Sequence, residues 1–271
     1  MNRGLIAKTF HETWPLTLVL GTALALVKAL LGYVLPTFHD EIAGLWARVA
    51  ILRDFLKALL GAELGASIGP HVFEALSWVH PVVLAVIWAF QLTFCSRVPV
   101  GEIDRGTVDV LLGLPVSRWD VYLGESLVFV AAGVVLFAMG LAGEYAGGWI
   151  AAVDSVPAVE RLLPILLNGF CLYLAVGGVN YLVSSLSDRR GRAVGWGLGV
   201  VLASFLLNFL AQFWAPARSA DFLSLLYYYR PVVVLESGAW PLADSAILLA
   251  VGVMFWFAAG LIFARRDIST V

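Results

Sequence analysis

The sequence predicts an all-α polytopic membrane protein: one domain over residues 1–271 with six transmembrane helices. Three observations carry this. The 271 residues are 61% hydrophobic and 13% charged, where an ordinary soluble domain carries about 25% charged residues. Mean hydropathy is +0.91. The apolar residues also gather into runs that approach or exceed the roughly 20 residues a helix needs to cross a bilayer. An N-terminal interfacial helix, a polar helix between spans 2 and 3, and outer amphipathic segments after spans 1 and 5 complete the expected architecture.

Taken in order, Met1 to Glu12 sets Arg3 and Lys8 among Leu5, Ile6 and Phe10, the pattern of a short helix lying at the membrane surface. No small-residue cleavage site follows in good context, so the next run reads as a retained first span, 14–36, with Lys28 as its one charge. The segment 38–79 is too charged to span. Within it Ile42, Leu45, Trp46, Val49, Leu52 and Leu56 recur at helical spacing, which predicts an amphipathic helix over 41–60. Gly61, Gly65, Gly69 and Pro70 break it. The second span covers 80–96, with a start as early as Phe73. The third covers 119–141 and leads into a loop over 143–160 with a short helix. The fourth covers 162–186, a basic turn Ser187–Arg192 follows, and the fifth covers 193–214. A longer loop, 215–241, holds Tyr227, Tyr228, Tyr229, Arg230 and Pro231. The sixth span, 243–264, ends at Arg265 and Arg266.

Six spans put both termini on one side, and the Lys/Arg bias says which. The terminal side holds Arg3, Lys8, Arg97, Arg105, Arg118, Arg189, Arg190, Arg192, Arg265 and Arg266. The other holds Arg48, Arg53, Lys57, Arg161, Arg218 and Arg230. The expected placement is a multi-pass protein of the inner (plasma) membrane with both termini cytoplasmic.

Composition narrows the function. A net charge of -2 gives no reason to expect a nucleic-acid partner. Cys95 and Cys171 lie in different apolar runs, and His11, His39, His71 and His80 are scattered without ligand spacing, so no disulfide framework and no metal site is expected. No G-x4-G-K-[ST] motif occurs, and no nucleophile–base or metalloprotease pattern. The chain reads as a non-catalytic membrane subunit.

The stretch that organises the chain is Glu102 to Arg118. Glu102, Asp104, Arg105 and Asp109 alternate with Ile103, Val108, Val110, Leu111, Leu112 and Leu114, so one face is apolar and the other charged, as in a helix lying along a surface. Pro115 stops it, and Ser117 stands where a cap for the next helix belongs. On these residues alone, a docking element for a soluble partner and a plain surface anchor are both open.

The order Glu102, Gly106-Thr107, Leu111-Leu112, Pro115-Val116-Ser117-Arg118, then Leu123-Gly124-Glu125, resembles the permeases of ABC-2 type transporters. In that family the segment between spans 2 and 3 has the form E-x3-G-T-x3-L-L-x2-P-[VI]-S-R. The topology agrees over the whole chain; Glu125 stands where many members carry Lys. The resemblance implies a cytoplasmic coupling helix. Glu102, Asp104, Arg105, Gly106, Thr107, Leu111, Pro115, Ser117 and Arg118 would meet a soluble ATP-binding cassette subunit that itself binds ATP and Mg. It also implies a second permease, either another copy or a sibling, and export rather than import. Membrane lipid is the remaining partner.

Other residues carry two readings each. Lys28 is a cavity-lining cation for an anionic substrate, or a charge that snorkels or pairs within the bundle. Glu125 is expected to snorkel to the inner interface. Gly191, Gly195, Gly199 and Ala203 form a small-residue ridge on span 5 for helix packing, within the bundle or across a dimer. Gly177, Gly178, Gln91, Asn168, Asn180, Asn208 and Gln212 read as helix-packing points and interhelical hydrogen bonds, and the Tyr227–Tyr229 run as interfacial anchors or an outer gate. The alternative functions are a mechanotransmitting permease, which acts on a periplasmic or surface partner through the outer segments without transporting anything, and, less supported, a membrane enzyme.

Overall fold

The computed structural model describes residues 3–38, 70–107, 115–152 and 158–266, with single positions at 41, 44, 48, 49 and 113. Almost all of the amphipathic helix expected over 41–60 lies outside the described residues. The elements are α1 (Arg3–Thr37), α2 (Pro70–Val79), α3 (Pro81–Cys95), α4 (Val100–Asp104), α5 (Arg118–Ile150), α6 (Val159–Leu186), α7 (Arg190–Leu210), α8 (Ala215–Arg218), α9 (Pro231–Ser237) and α10 (Leu242–Arg265). Two 3-10 turns, Asp221–Leu223 and Leu225–Tyr228, lie between α8 and α9. Among the described residues, six helical stretches are long and apolar enough to cross a membrane: α1, the α2–α3 pair, α5, α6, α7 and α10.

Several boundaries differ from the sequence expectation. The N-terminal amphipathic segment is continuous with the first span, so α1 is a single 35-residue helix. Its early turns stay helical because Leu5 and Thr9 are buried, and a side chain added at Gly124 of α5 would touch Leu5 and Ile6. The second span starts at α2 and is interrupted at His80. Pro81 follows at the first position of α3, where its missing N–H costs least, and the His80 side chain accepts from the Val82 amide at 3.3 Å. The third span does not end near 141. Helix α5 runs to Ile150, because the glycines that read as loop formers are packing positions. Span 5 starts earlier than expected, at Arg190, and closes at Leu210.

Helices α1 and α5 form the largest contact, and α6 with α10 the next. At the first seam, a Cβ on Gly143 would sit 2.1 Å from the Ala25 carbonyl oxygen, and one on Gly147 would sit 2.0 Å from that of Ala29. Only glycine lets the backbones meet so closely, and close approach is what drives association where lipid removes the hydrophobic difference. Gly178 of α6 faces the Gly252 carbonyl of α10 in the same way. Between these pairs lies an aromatic core: Phe129 stacks on Tyr173 at 4.5 Å, and Tyr122 packs edge-on to Tyr181 at 5.5 Å. Interhelical hydrogen bonds of the expected kind join Gln91 Nε2 to the Tyr173 carbonyl (2.6 Å) and Asn168 Nδ2 to Ser245 Oγ (3.1 Å). Cys95 and Cys171 are free and buried.

Candidate functional site

The candidate site is the turn that follows α3. Of the helix expected over Glu102–Leu114, residues 108–112 and 114 lie outside the described residues; helix α4, which opens the segment, closes after five residues, at Asp104. The cause is Gly106, which adopts φ +69. There the Thr107 amide donates to the Glu102 carbonyl at 3.0 Å, and the Gly106 amide donates to the Ile103 carbonyl at 3.0 Å. These two bonds make a Schellman motif, which satisfies carbonyls the short helix would leave open and requires a left-handed residue at this position. The Gly-Thr pair of the sequence motif is thus a helix stop.

Glu102 locks the stop from within. It is only 8% exposed. Its Oε1 accepts from Arg105 Nη2 at 2.6 Å, and its Oε2 accepts from the Thr107 hydroxyl. Burial acts against its ionisation, but the Thr107 bond, with the charges of Arg105 and Lys8, outweighs it and holds the carboxyl below its usual range. The surface offered outward is therefore Asp104, Arg105, Gly106 and Thr107, all exposed, while Glu102 faces in. Leu111 lies outside the described residues. Pro115 is exposed in a bend, and Ser117 caps α5: its Oγ accepts from the Asp120 amide at 3.0 Å and Asp120 Oδ2 accepts from the Ser117 amide at 3.3 Å. This capping box satisfies two helix-end donors reciprocally.

Arg118 turns inward. Its Nη1 donates to the Phe263 carbonyl at 3.1 Å and to the Arg266 carbonyl, at the end of α10. Arg266 in turn donates to the Ser185 and Ser187 carbonyls, both at 2.8 Å, and pairs with Asp188 at the end of α6. Arg190 ties α7 to the end of α3 through Ser96 Oγ (3.2 Å) and the Thr93 carbonyl (3.3 Å). Cations at helix C-termini complement the dipole and occupy open carbonyls. The ends of α3, α6 and α10 are thus clasped to the starts of α5 and α7.

Beside this lies a buried ionic group. Glu125 does not snorkel: it is 6% exposed, accepts from Thr9 Oγ1 at 2.8 Å, and has Arg97 Nη1 at 3.7 Å. Arg97 also pairs with Glu12, which has Lys8 at 3.5 Å. Toward the far end, Lys28 is fully buried and pairs with Glu144 (3.2 Å), donates to Ser77 Oγ (2.5 Å) and lies 3.7 Å from the centre of the Trp78 ring. Of its two readings, the structure supports pairing within the bundle. Gly191, Gly195 and Gly199 face open space, with nothing within 4 Å of an added Cβ; Gly197 instead packs on Asn180 and Leu92. Between α8 and α10 Tyr229 is buried, and Arg230, which lies against the Tyr227 ring, pairs with Asp244 at 3.1 Å.

Sequence reasoning missed Glu12, Arg97, Ser77 and Glu144. Glu144 was hidden by its glycine neighbours, which read as loop. The signal was present nonetheless: a lysine inside span 1 needs an acid at matching depth. Among the described residues, no group of three or more His, Cys, Asp or Glu converges to hold a metal ion.

A family model described as ABC-2 family transporter protein matches residues 82–268. No curated protein and no solved structure matches the chain. The match begins in α3, runs through the Glu102 turn and ends two residues past Arg266, in a chain whose described residues hold six apolar helices of spanning length. The chain belongs to the ABC-2 family of transporter proteins, as a permease component of an ABC transporter.

Proposed function

We propose that the exposed turn Asp104–Thr107, with the stretch that leads to Arg118, docks a soluble ATP-binding cassette subunit. ATP and Mg bound by that subunit then drive a substrate outward across the inner membrane. The observation that carries this reading is the closed Glu102 turn: a short, internally satisfied element that leaves four consecutive residues exposed between two spans. A docking knob has to be stiff to transmit a displacement, and this one is held by a Schellman motif and a buried carboxylate. Its neighbours suit the task. The turn follows directly on Arg97, which pairs with both α1 and α5, while Arg118 and Arg266 couple α5, α10 and α6. A displacement of the turn therefore reaches most of the bundle. The Lys/Arg bias supports a cytoplasmic location for this end. The open small-residue ridge on α7 supports a second permease, copy or sibling, packed against that helix.

The test is mild-detergent purification of the tagged chain from its host with mass spectrometry of what accompanies it, for the native chain and for Arg105→Glu and Gly106→Val. The expected result is a stoichiometric ATP-binding subunit, lost or uncoupled in both variants. A chain that purifies alone, or normal ATPase coupling in both variants, removes the docking assignment.

A further inference from the structure

A groove runs along the outside of the α1–α5 seam at the end of the bundle that carries the termini. Its volume is about 850 Å³, within the range of small-ligand sites. On α1 it is walled by Ala7, Phe10, Trp14 and Leu18, which share one helix face, and on α5 by Leu127, Ala131 and Val135. The two threonines of the wall add no polarity, because Thr13 and Thr17 donate to the carbonyls of Thr9 and Thr13 at 2.7 and 3.0 Å. The groove's basic side chains lie along the N-terminal half of its α1 wall. Arg3 and His11 both line the groove and are exposed, and among the described residues no carboxylate pairs with either. The acids of α1 and α5 toward this end are already engaged: Glu12 by Lys8 and Arg97, Glu125 by Thr9 and Arg97, and Asp120 by the Ser117 hydroxyl.

We propose that this groove is a resident site for an anionic phospholipid of the leaflet on the side of the termini. The charge distribution selects the occupant. Arg3 and His11 stand eight residues apart on α1, a span of about 12 Å at 1.5 Å per residue, which suits a phosphate with its glycerol region. Beyond His11 the walls are apolar, as acyl chains require. A cation at the mouth of a groove between membrane helices favours a phosphodiester that carries net negative charge over a zwitterion of the same chain length. Leu127 is shared with a second apolar groove between α5, α6 and α10, of about 360 Å³. That groove has Ser126 as a polar group but no charged one, so it is not expected to discriminate between headgroups.

The experiment is native mass spectrometry of the full chain in detergent, titrated with dioleoyl phosphatidylglycerol or dioleoyl phosphatidylcholine. For the native chain, the first adduct is expected at about fivefold lower phosphatidylglycerol than phosphatidylcholine, the factor one interfacial Arg supplies. Arg3→Gln with His11→Gln should bring the two lipids to parity at unchanged melting temperature. Ala131→Trp, at an exposed position, should abolish the first adduct of both. Equal retention of both lipids by the native chain, or a preference that survives the double substitution, overturns the proposal. So does an Ala131→Trp variant that keeps its adducts while a dimer falls to monomer, which would assign the groove to a second copy of the chain.

Discussion

Lys28 and Glu144 face each other across the α1–α5 seam, with Nζ 3.2 Å from Oε2 and Ser77 Oγ within hydrogen-bond distance of both. The lysine is fully buried and Glu144 nearly so. Neither charge has water to fall back on, so each depends on the other. Loss of one partner strands a charge in a medium that solvates it poorly, and in buried pairs this costs about 3–5 kcal/mol. Lys28→Met and Glu144→Gln should each lower the melting temperature of the detergent-solubilised chain. The double variant should recover most of the loss, because both charges leave together. A Lys28→Met variant that melts like the native chain, yet loses transport, would restore the substrate-cavity reading of this lysine.

Glu102 provides a pH prediction. Its carboxyl ionises more readily in the folded turn than in the free chain, so the turn gains stability from the ionised form. That gain is present above the ordinary value of 4.5 and is lost as pH falls below it toward the lower folded value. Amide exchange at Gly106 and Thr107 should therefore exceed its intrinsic pH dependence on acidification through this window. Glu102→Gln should exchange faster than the native turn at neutral pH and show no extra acid acceleration. Identical protection in the two proteins would mean that the Schellman bonds alone hold the turn.

Much of this was legible in the sequence, and the failures share a cause. The six spans follow from apolar run length, and the Ser117 cap follows from a hydroxyl just before a helix start. The break at Gly106 escapes the helix pattern over Glu102–Leu114 because periodicity weighs side chains, while Gly106 acts through φ, which periodicity does not register; most of the pattern after Thr107 lies outside the described residues. Gly143 and Gly147 misled in the opposite sense: in water such residues weaken a helix, whereas between membrane helices they allow backbones to touch. Arg118 reads as a docking residue from its place in the motif. Its partners within the chain, the Phe263 and Arg266 carbonyls, lie more than a hundred residues away in sequence, and no local pattern carries that information.

Arg97 holds two acids from two helices, so its removal should be felt as an excess of negative charge. With Arg97→Met, Glu125 keeps only the Thr9 hydroxyl, and Glu12 keeps the exposed Lys8. Because one of the stranded carboxylates is buried, destabilisation of about 3–5 kcal/mol is expected. A second change, Glu125→Gln, should return much of it, since the amide still accepts from Thr9 without carrying charge. Glu12→Gln on the same background should do far less, because Glu12 is exposed and exposed pairs are worth about 1 kcal/mol or less. Equal rescue by both would mean that the cluster acts through net charge and not through the burial of Glu125.

Two glycine patterns that look alike in sequence should respond in opposite ways. Gly147→Ala places a methyl group about 2.0 Å from the Ala29 carbonyl oxygen, a contact that flexible side-chain motion cannot relieve. Helices α1 and α5 must separate, which also stretches the Lys28–Glu144 pair. A loss of about 1–3 kcal/mol or more is expected, read as a lower melting temperature of the monomeric chain. Gly195→Ala and Gly199→Ala add a methyl group where nothing lies within 4 Å, so the isolated chain should melt unchanged, and the better helix propensity of alanine acts in their favour. Their effect belongs to the assembled state: a second permease seated on this ridge should be pushed away, so the dimer should dissociate at higher protein concentration than the native one. Parallel behaviour of all three variants in the monomer would place a further part of this chain against the α7 ridge.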